Sequence, residues 1–261
     1  MSTSEEVYAA SPLDPVQTQR LVNENTVDTG VFDQSIVDKA RAIITRYPVA
    51  RSALLPMLHL VQSVEGHVSQ AGITFCADQL DLTNAEVSAV ATFYTMYKRR
   101  PCGEHLVSVC TNTLCAALGG DAIYATIKDH LGVGHEETAG EPGTPGSITL
   151  EHAECLAACD LGPVLQVNYE YFDNQTPDGA LELVKSLQAG EKPHPTRGAP
   201  LTDFRQAELQ LAGFFEGRDA DLDGPSAAPE TVRGAAIAAE RGWTAPAMPD
   251  NAEFPPLPEK K

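Results

Sequence analysis

The chain has 261 residues, 43% of them apolar, and a formal net charge of −18 at neutral pH. That length supports one good core, or a small domain beside a larger one. The clustered Lys and Arg that nucleic acid or an anionic membrane surface would need are missing, and no apolar run approaches the roughly 20 residues that cross a bilayer.

Residues 1–33 are polar, contain Pro12 and Pro15, and read as an N-terminal extension. Because the start lacks a basic region followed by an apolar stretch, a cytoplasmic location is expected. A helical domain is expected over residues 34–100. Asp33 reads as an N-cap with Ile36, Ala40, Ile43 and Ile44 on one face, and Tyr47-Pro48 closes that helix. A second helix carries Leu54, Leu55, Leu58 and Val61 and stops at Gly66, with Pro56 tolerated in its first turn. A third covers Ile73 to Leu80. Thr83-Asn84-Ala85-Glu86 has the capping-box pattern and opens a fourth, which Val87, Val90, Ala91 and Tyr94 continue to about Met96. Lys98-Arg99-Arg100 then reads as cationic capping of a helix C-terminus, and Pro101-Cys102-Gly103 marks a boundary.

Over residues 101–190 the period changes. His105 to Cys110 reads as a strand, Leu114 to Leu131 as a helix with Leu118, Ile123, Ile127 and Leu131 inward, and Ser147 to Glu151 as a second strand. Gly132 to Gly146 reads as a plain loop without a nucleotide-binding fingerprint. Val164–Asn168 and Glu170–Phe172 look like a hairpin, and Thr176-Pro177-Asp178 opens a last helix that ends at Gly190. The order β-α-β-β-β-α resembles the thioredoxin fold, so the class is α+β, a helical bundle followed by a thioredoxin-like domain. Residues 191–261 hold ten of the 19 prolines and read as a tail, disordered or draped on a partner through Phe214, Phe215, Trp243 and Phe254.

Four of the six cysteines carry the chemistry. Cys110-Thr-Asn-Thr-Leu-Cys115 and Cys155-Leu-Ala-Ala-Cys159 offer two sulfurs from each of two loops, the supply that an iron–sulfur cluster with four protein thiolates needs. C-x4-C joined to C-x3-C is an uncommon zinc pattern, and thioredoxin-type redox chemistry would need C-x-x-C. A zinc-stabilised interaction module stays open as an alternative. His152 would be a fifth candidate where four ligands suffice. Cys76 and Cys102 read as small buried hydrophobes, and disulfides do not suit a chain of this size without an export signal. Gly119 and Gly120 permit close backbone approach. Thr111, Asn112 and Thr113 are candidate donors to sulfur. Glu151, Glu154 and Asp160, with no Lys or Arg among residues 147–163, are expected to disfavour added electron density and give a low-potential one-electron centre.

Cys110-Thr-Asn-Thr-Leu-Cys115 with Gly119-Gly120, then Glu154-Cys155-Leu-Ala-Ala-Cys159 and Pro163-Val-Leu-Gln-Val-Asn168, resemble the E subunit family of bacterial NADH:quinone oxidoreductase, the 24-kDa subunit of respiratory complex I. Tyr47-Pro48, Leu54-Leu55-Pro56 and Phe93-Tyr94-Thr95-Met96 resemble the helical domain of the same family. The resemblance implies a [2Fe-2S] cluster ligated by Cys110, Cys115, Cys155 and Cys159, which exchanges single electrons with FMN. It implies that FMN and NADH are bound by a partner, the flavin- and NADH-binding subunit, with other peripheral-arm subunits beside it. The whole would sit peripherally on the cytoplasmic face of the inner membrane. The homologous small subunit of an NAD-linked hydrogenase or formate dehydrogenase is the alternative within electron transfer. Two departures, Ala157 where many relatives have glycine and Gly162 where alanine is common, are small-for-small and expected to trouble the site little.

Overall fold

The computed structural model describes residues 31–218 and 227–249, which fall into two compact units with the division between those ranges. Expectations placed on residues 1–30, 219–226 and 250–261, Phe254 among them, lie outside the described residues.

Local signals set the helical part. Helix α1 (Gln34–Ile44) starts where the Asp33 carboxylate accepts the Ile36 N–H at 3.1 Å, a cap worth about 1 kcal/mol. A short 3-10 turn (Ala50–Ala53) leads into α2 (Leu54–Glu65), which holds Pro56 in its first turn and stops at Gly66 with φ of 73°. Helix α3 (Gln70–Leu80) is capped by Ser69, and α4 (Asn84–Phe93) opens with the full capping box of Thr83 and Glu86. Ile43, Met57, Leu58, Leu60, Val61, Ile73 and Phe75 fill the core between them. Helix α4 ends at Phe93, three residues short of the expected Met96, because Tyr94 takes an extended conformation with φ −93° and ψ 123°.

The second layer is a five-stranded mixed sheet. Strands β1 (His105–Cys110), β2 (Glu137–Ala139), β3 (Ile148–Ala153), β4 (Leu165–Val167) and β5 (Glu170–Phe172) lie in the order β2-β3-β1-β4-β5. Strands β1 and β3 are parallel, as a crossover requires, and the other pairs are antiparallel. Period-two alternation splits β1 between two faces. Val107 and Val109 pack under helices α6 (Gly120–Leu131) and α7 (Pro177–Gln188), with Ile123, Ile127, Leu183 and Val184. Leu106 packs on the opposite face against Cys102 and Phe204. Ser108 lies in register with Glu151, and Cys110 with Ala153.

Several expectations are corrected. The helix expected from Leu114 to Leu131 is two: α5 (Thr113–Ala117) and α6, broken where Gly119 adopts φ of 114°. The break turns Leu118 outward, 53% exposed, instead of inward. The loop from Gly132 to Gly146 contains β2, whose pairing with β3 is a long-range event that local composition does not signal. The beginning of the expected tail is folded. Helix α8 (Phe204–Leu211), N-capped by Asp203 through the Gln206 N–H at 2.8 Å, packs on α2 and buries Phe204 and Ala207. Burial of a Phe side chain contributes roughly 1.5–3 kcal/mol, enough to outweigh the Pro-rich composition around it. Glu208 of α8 is fully buried and accepts from Tyr169 Oη at 2.8 Å, with His59 Nδ1 at 2.6 Å from its other oxygen. In the second unit, α9 (Pro229–Glu240) buries none of its residues, and Trp243 is exposed with the Arg241 guanidinium 5.0 Å from its ring centre.

Candidate metal centre

Strand β1 delivers Cys110 at its end, buried, and two residues later Asn112 opens α5, which carries Cys115, also buried. Cys155 lies in the irregular stretch after β3, and Cys159 begins a 3-10 turn (Cys159–Leu161); both are exposed. The loops converge. Cys155 Sγ and Cys159 Sγ are 3.6 Å apart, and two thiolates about 2.3 Å from one tetrahedral metal lie roughly 3.7 Å apart. Burial pushes the Cys115 thiol up to about 11, and the Cys110 side chain, hydrogen-bonded to it, and the nearby Cys159 push the same way. Cys159 is raised by its bond to Cys155 first, then by the charges of Cys155 and Cys110. Sulfurs whose neighbours disfavour charge on Cys115 and on Cys159 make those two poorly placed as free thiolates and well placed beside a cationic core.

Among the described residues no three Cys, His, Asp or Glu side chains surround one point as ligands of a single ion. A binuclear centre asks for a different arrangement, two sulfurs for each of two irons, and the pairs Cys110 with Cys115 and Cys155 with Cys159 have that form. The residues present therefore fit a [2Fe-2S] core better than a mononuclear zinc. His152 is occupied elsewhere, with its ring 4.1 Å from that of His135 and edge-on to Tyr124 at 5.8 Å.

Close packing holds the loops. A Cβ on Gly120 would stand 2.5 Å from the Cys110 carbonyl oxygen and 2.9 Å from that of Cys115, so only glycine lets α6 start there. The expectation for Gly119-Gly120 is met at Gly120. A Cβ on Gly162 would lie 3.3 Å from Cys115 Sγ, tight against a sulfur. Ala157 adopts φ of 58°, the left-handed region that costs a non-glycine residue roughly 1–2 kcal/mol. The exchange of glycine for alanine at this position is thus not neutral. The same loop aims the Ala157 N–H at Cys155 Sγ, 3.4 Å away, and the Val164 backbone hydrogen-bonds Cys115. These backbone donors take the place expected of Thr111 and Asn112, whose side chains instead bond the Ala153 carbonyl at 3.5 Å and Glu154 at 2.8 Å.

The electrostatics also differ from the reading of residues 147–163 alone. Glu151 is salt-bridged to Lys98 Nζ, which also donates to the Thr95 carbonyl at 2.9 Å, and its other oxygen accepts from Ser108 Oγ at 2.6 Å. The Lys98 side chain is 5% exposed and that of Glu151 13%. Lys98 is therefore not a helix-capping cation; α4 has no basic residue in its last turn, and this lysine joins the helical part to the sheet. Glu151 carries a compensated charge. Glu154, next to Cys155, accepts instead from the neutral Asn112 amide, and the charge of Asp160, next to Cys159, adds to the causes that raise that thiol. Cys76 and Cys102 are buried, away from the four, and burial pushes the Cys102 thiol up to about 12. They are packing residues, as expected.

Residues 40–188 match the model of the family described as thioredoxin-like [2Fe-2S] ferredoxin. The E subunit of NADH-quinone oxidoreductase from Mycobacterium tuberculosis (strain ATCC 25618 / H37Rv) is 56% identical over 210 residues, 80% of this chain and 81% of that protein. The Rickettsia bellii (strain RML369-C) protein of the same name is 35% identical over 160 residues, 60% of this chain and 93% of that one. Among solved structures, an NAD+-reducing [NiFe]-hydrogenase in its H2-reduced state aligns over 52% of this chain and 22% of its own, with a TM-score of 0.46 and 15% identity.

Proposed function

The chain belongs to the thioredoxin-like [2Fe-2S] ferredoxin family, as an E subunit of NADH-quinone oxidoreductase, and on that basis we propose how its residues serve electron transfer. Cys110, Cys115, Cys155 and Cys159 hold the [2Fe-2S] cluster. When bound, the cluster supplies a one-electron centre. The convergence of the two cysteine pairs, one buried and one at the surface, is the observation that carries this assignment.

The protein's part is to fix and bias that centre. Backbone N–H groups of Ala157 and Val164 stabilise negative charge on sulfur. Glu154 opposes further negative charge, which sets a low potential. Exposure of Cys155 and Cys159 brings the site to the surface, where a partner's cofactor can approach. The partner in this reading is the flavin- and NADH-binding subunit, which supplies FMN and NADH, with other peripheral-arm subunits around it. Residues 34–100 act as a helical module that backs the cluster module of residues 101–190. Among the described residues no helix is long and apolar enough to cross a membrane; in this reading the chain attaches to the cytoplasmic face of the inner membrane through the complex.

The test is affinity purification of the tagged chain from its native membranes, with flavin and iron assayed in the product. Recovery of FMN with a subunit that oxidises NADH and passes electrons to quinone supports the proposal. Recovery with a hydrogenase, or as a zinc protein without flavin, refutes it.

A further inference from the structure

Resting on the assignment of Cys155 and Cys159 as cluster ligands, we propose that Arg197 and Tyr171 are positioning residues that brace the outer cysteine loop. The brace comes partly from outside the residues that the family model matches, which end at 188.

Its parts form a continuous path. Residues 196 and 197 run antiparallel beside β5: the Thr196 N–H donates to the Tyr171 carbonyl at 2.9 Å, and Tyr171 and Arg197 form a β-bridge. Asp173 anchors the segment. It accepts from Thr196 Oγ1 at 2.7 Å, and the Arg197 guanidinium reaches its two oxygens from Nε at 3.0 Å and from Nη2 at 3.2 Å. This fork fixes the guanidinium plane, which lies over the Tyr171 ring with Cζ 3.8 Å from the centroid. Clamped from that side, Tyr171 points its hydroxyl into the cysteine loop and donates to the Leu156 carbonyl at 2.6 Å.

Leu156 lies between Cys155 and the left-handed Ala157. A non-glycine residue persists in that conformation only when its surroundings hold it there, and the Tyr171 hydroxyl supplies such a hold one residue upstream. The Ala157 N–H is also the donor to Cys155 Sγ. A loop that relaxed at Ala157 would thus lose that donor and the spacing of the outer sulfur pair. Tolerance of alanine at 157 follows from the brace.

The experiment uses the full chain with its cluster bound, comparing wild type, Tyr171→Phe, Arg197→Ala and the double variant Tyr171→Phe/Ala157→Gly. Two properties are read: the rate at which visible absorbance bleaches in the presence of an iron chelator, and the paramagnetic spectrum of the reduced cluster. Tyr171→Phe removes one hydroxyl and keeps the ring, so it folds. The expected result is several-fold faster bleaching and shifted g-values in Tyr171→Phe and Arg197→Ala, with the double variant returning most of the way to wild type, because glycine adopts the required φ unaided. Wild-type bleaching and spectrum in Tyr171→Phe would overturn the brace, as would failure of Ala157→Gly to rescue. Absence of a [2Fe-2S] spectrum from wild type itself would instead overturn the cysteine assignment on which the proposal rests.

Discussion

Lys98→Met places an apolar side chain of similar length where the ammonium now meets Glu151. Among the described residues, the carboxylate side chain, 13% exposed, then keeps the Ser108 hydroxyl as its one hydrogen-bond partner. Breaking a buried pair by removing one member costs about 3–5 kcal/mol, and the surviving Ser108 hydrogen bond offsets roughly 1 kcal/mol, so a loss of about 2–4 kcal/mol is expected. In Lys98→Met/Glu151→Gln no buried charge is stranded, and most of the loss returns, giving a coupling energy of about 2 kcal/mol. Urea unfolding of the anaerobic, cluster-loaded protein, followed by circular dichroism, measures all four corners of the cycle. The single variant also adds one uncompensated negative charge on the cluster side of the sheet, so its reduction potential falls while that of Glu151→Gln rises. A loss below about 1 kcal/mol for Lys98→Met, or additivity in the double variant, would refute the claim that this pair is buried and coupled.

Glu154→Gln removes a charge one residue from Cys155 and raises the potential in a redox titration; an unchanged potential would remove the electrostatic account of a low-potential centre. Gly120→Ala drives a Cβ into the carbonyl oxygens of Cys110 and Cys115, at 2.5 and 2.9 Å, so the cluster content of purified protein drops sharply while the helical signal persists. The Glu86 carboxyl is held down to about 2, chiefly by the Thr83 backbone N–H and then by Arg51. Its folded value lies below the unfolded one, so its contribution is complete above about pH 4.3, the ordinary carboxylate value, and is lost as pH falls toward 2. Proton-detected titration of Glu86 should show that low midpoint, and Arg51→Ala should raise it.

Wherever structure follows from neighbours in the chain, the sequence was readable. The Asp33 and Thr83 caps, the stop at Gly66, the period-two strand ending at Cys110 and the proline-led helix after Thr176 each depend on residues within a turn of one another. The four cysteines stand out as candidate ligands because thiolate spacing carries its own chemistry. What stayed hidden depends on distant partners. Lys98 looks like a capping cation until a carboxylate 53 positions away is seen against it. Strand β2 exists only through β3. Helix α8 was masked by prolines and by Glu208, a charged residue in a buried position that satisfies itself on His59 and Tyr169. Ala157 reads as a conservative exchange until its backbone angle is known, since identity carries no record of φ.

Iron and acid-labile sulfide, counted per chain in anaerobically isolated protein with each cysteine in turn replaced by serine, test the cluster assignment most directly. Wild type, Cys76→Ser and Cys102→Ser should each hold two irons and two sulfides, the content of a [2Fe-2S] core, and Cys110→Ser, Cys115→Ser, Cys155→Ser and Cys159→Ser should lose most of both. Stoichiometric zinc in place of iron, or full iron retention after any of those four replacements, would contradict it.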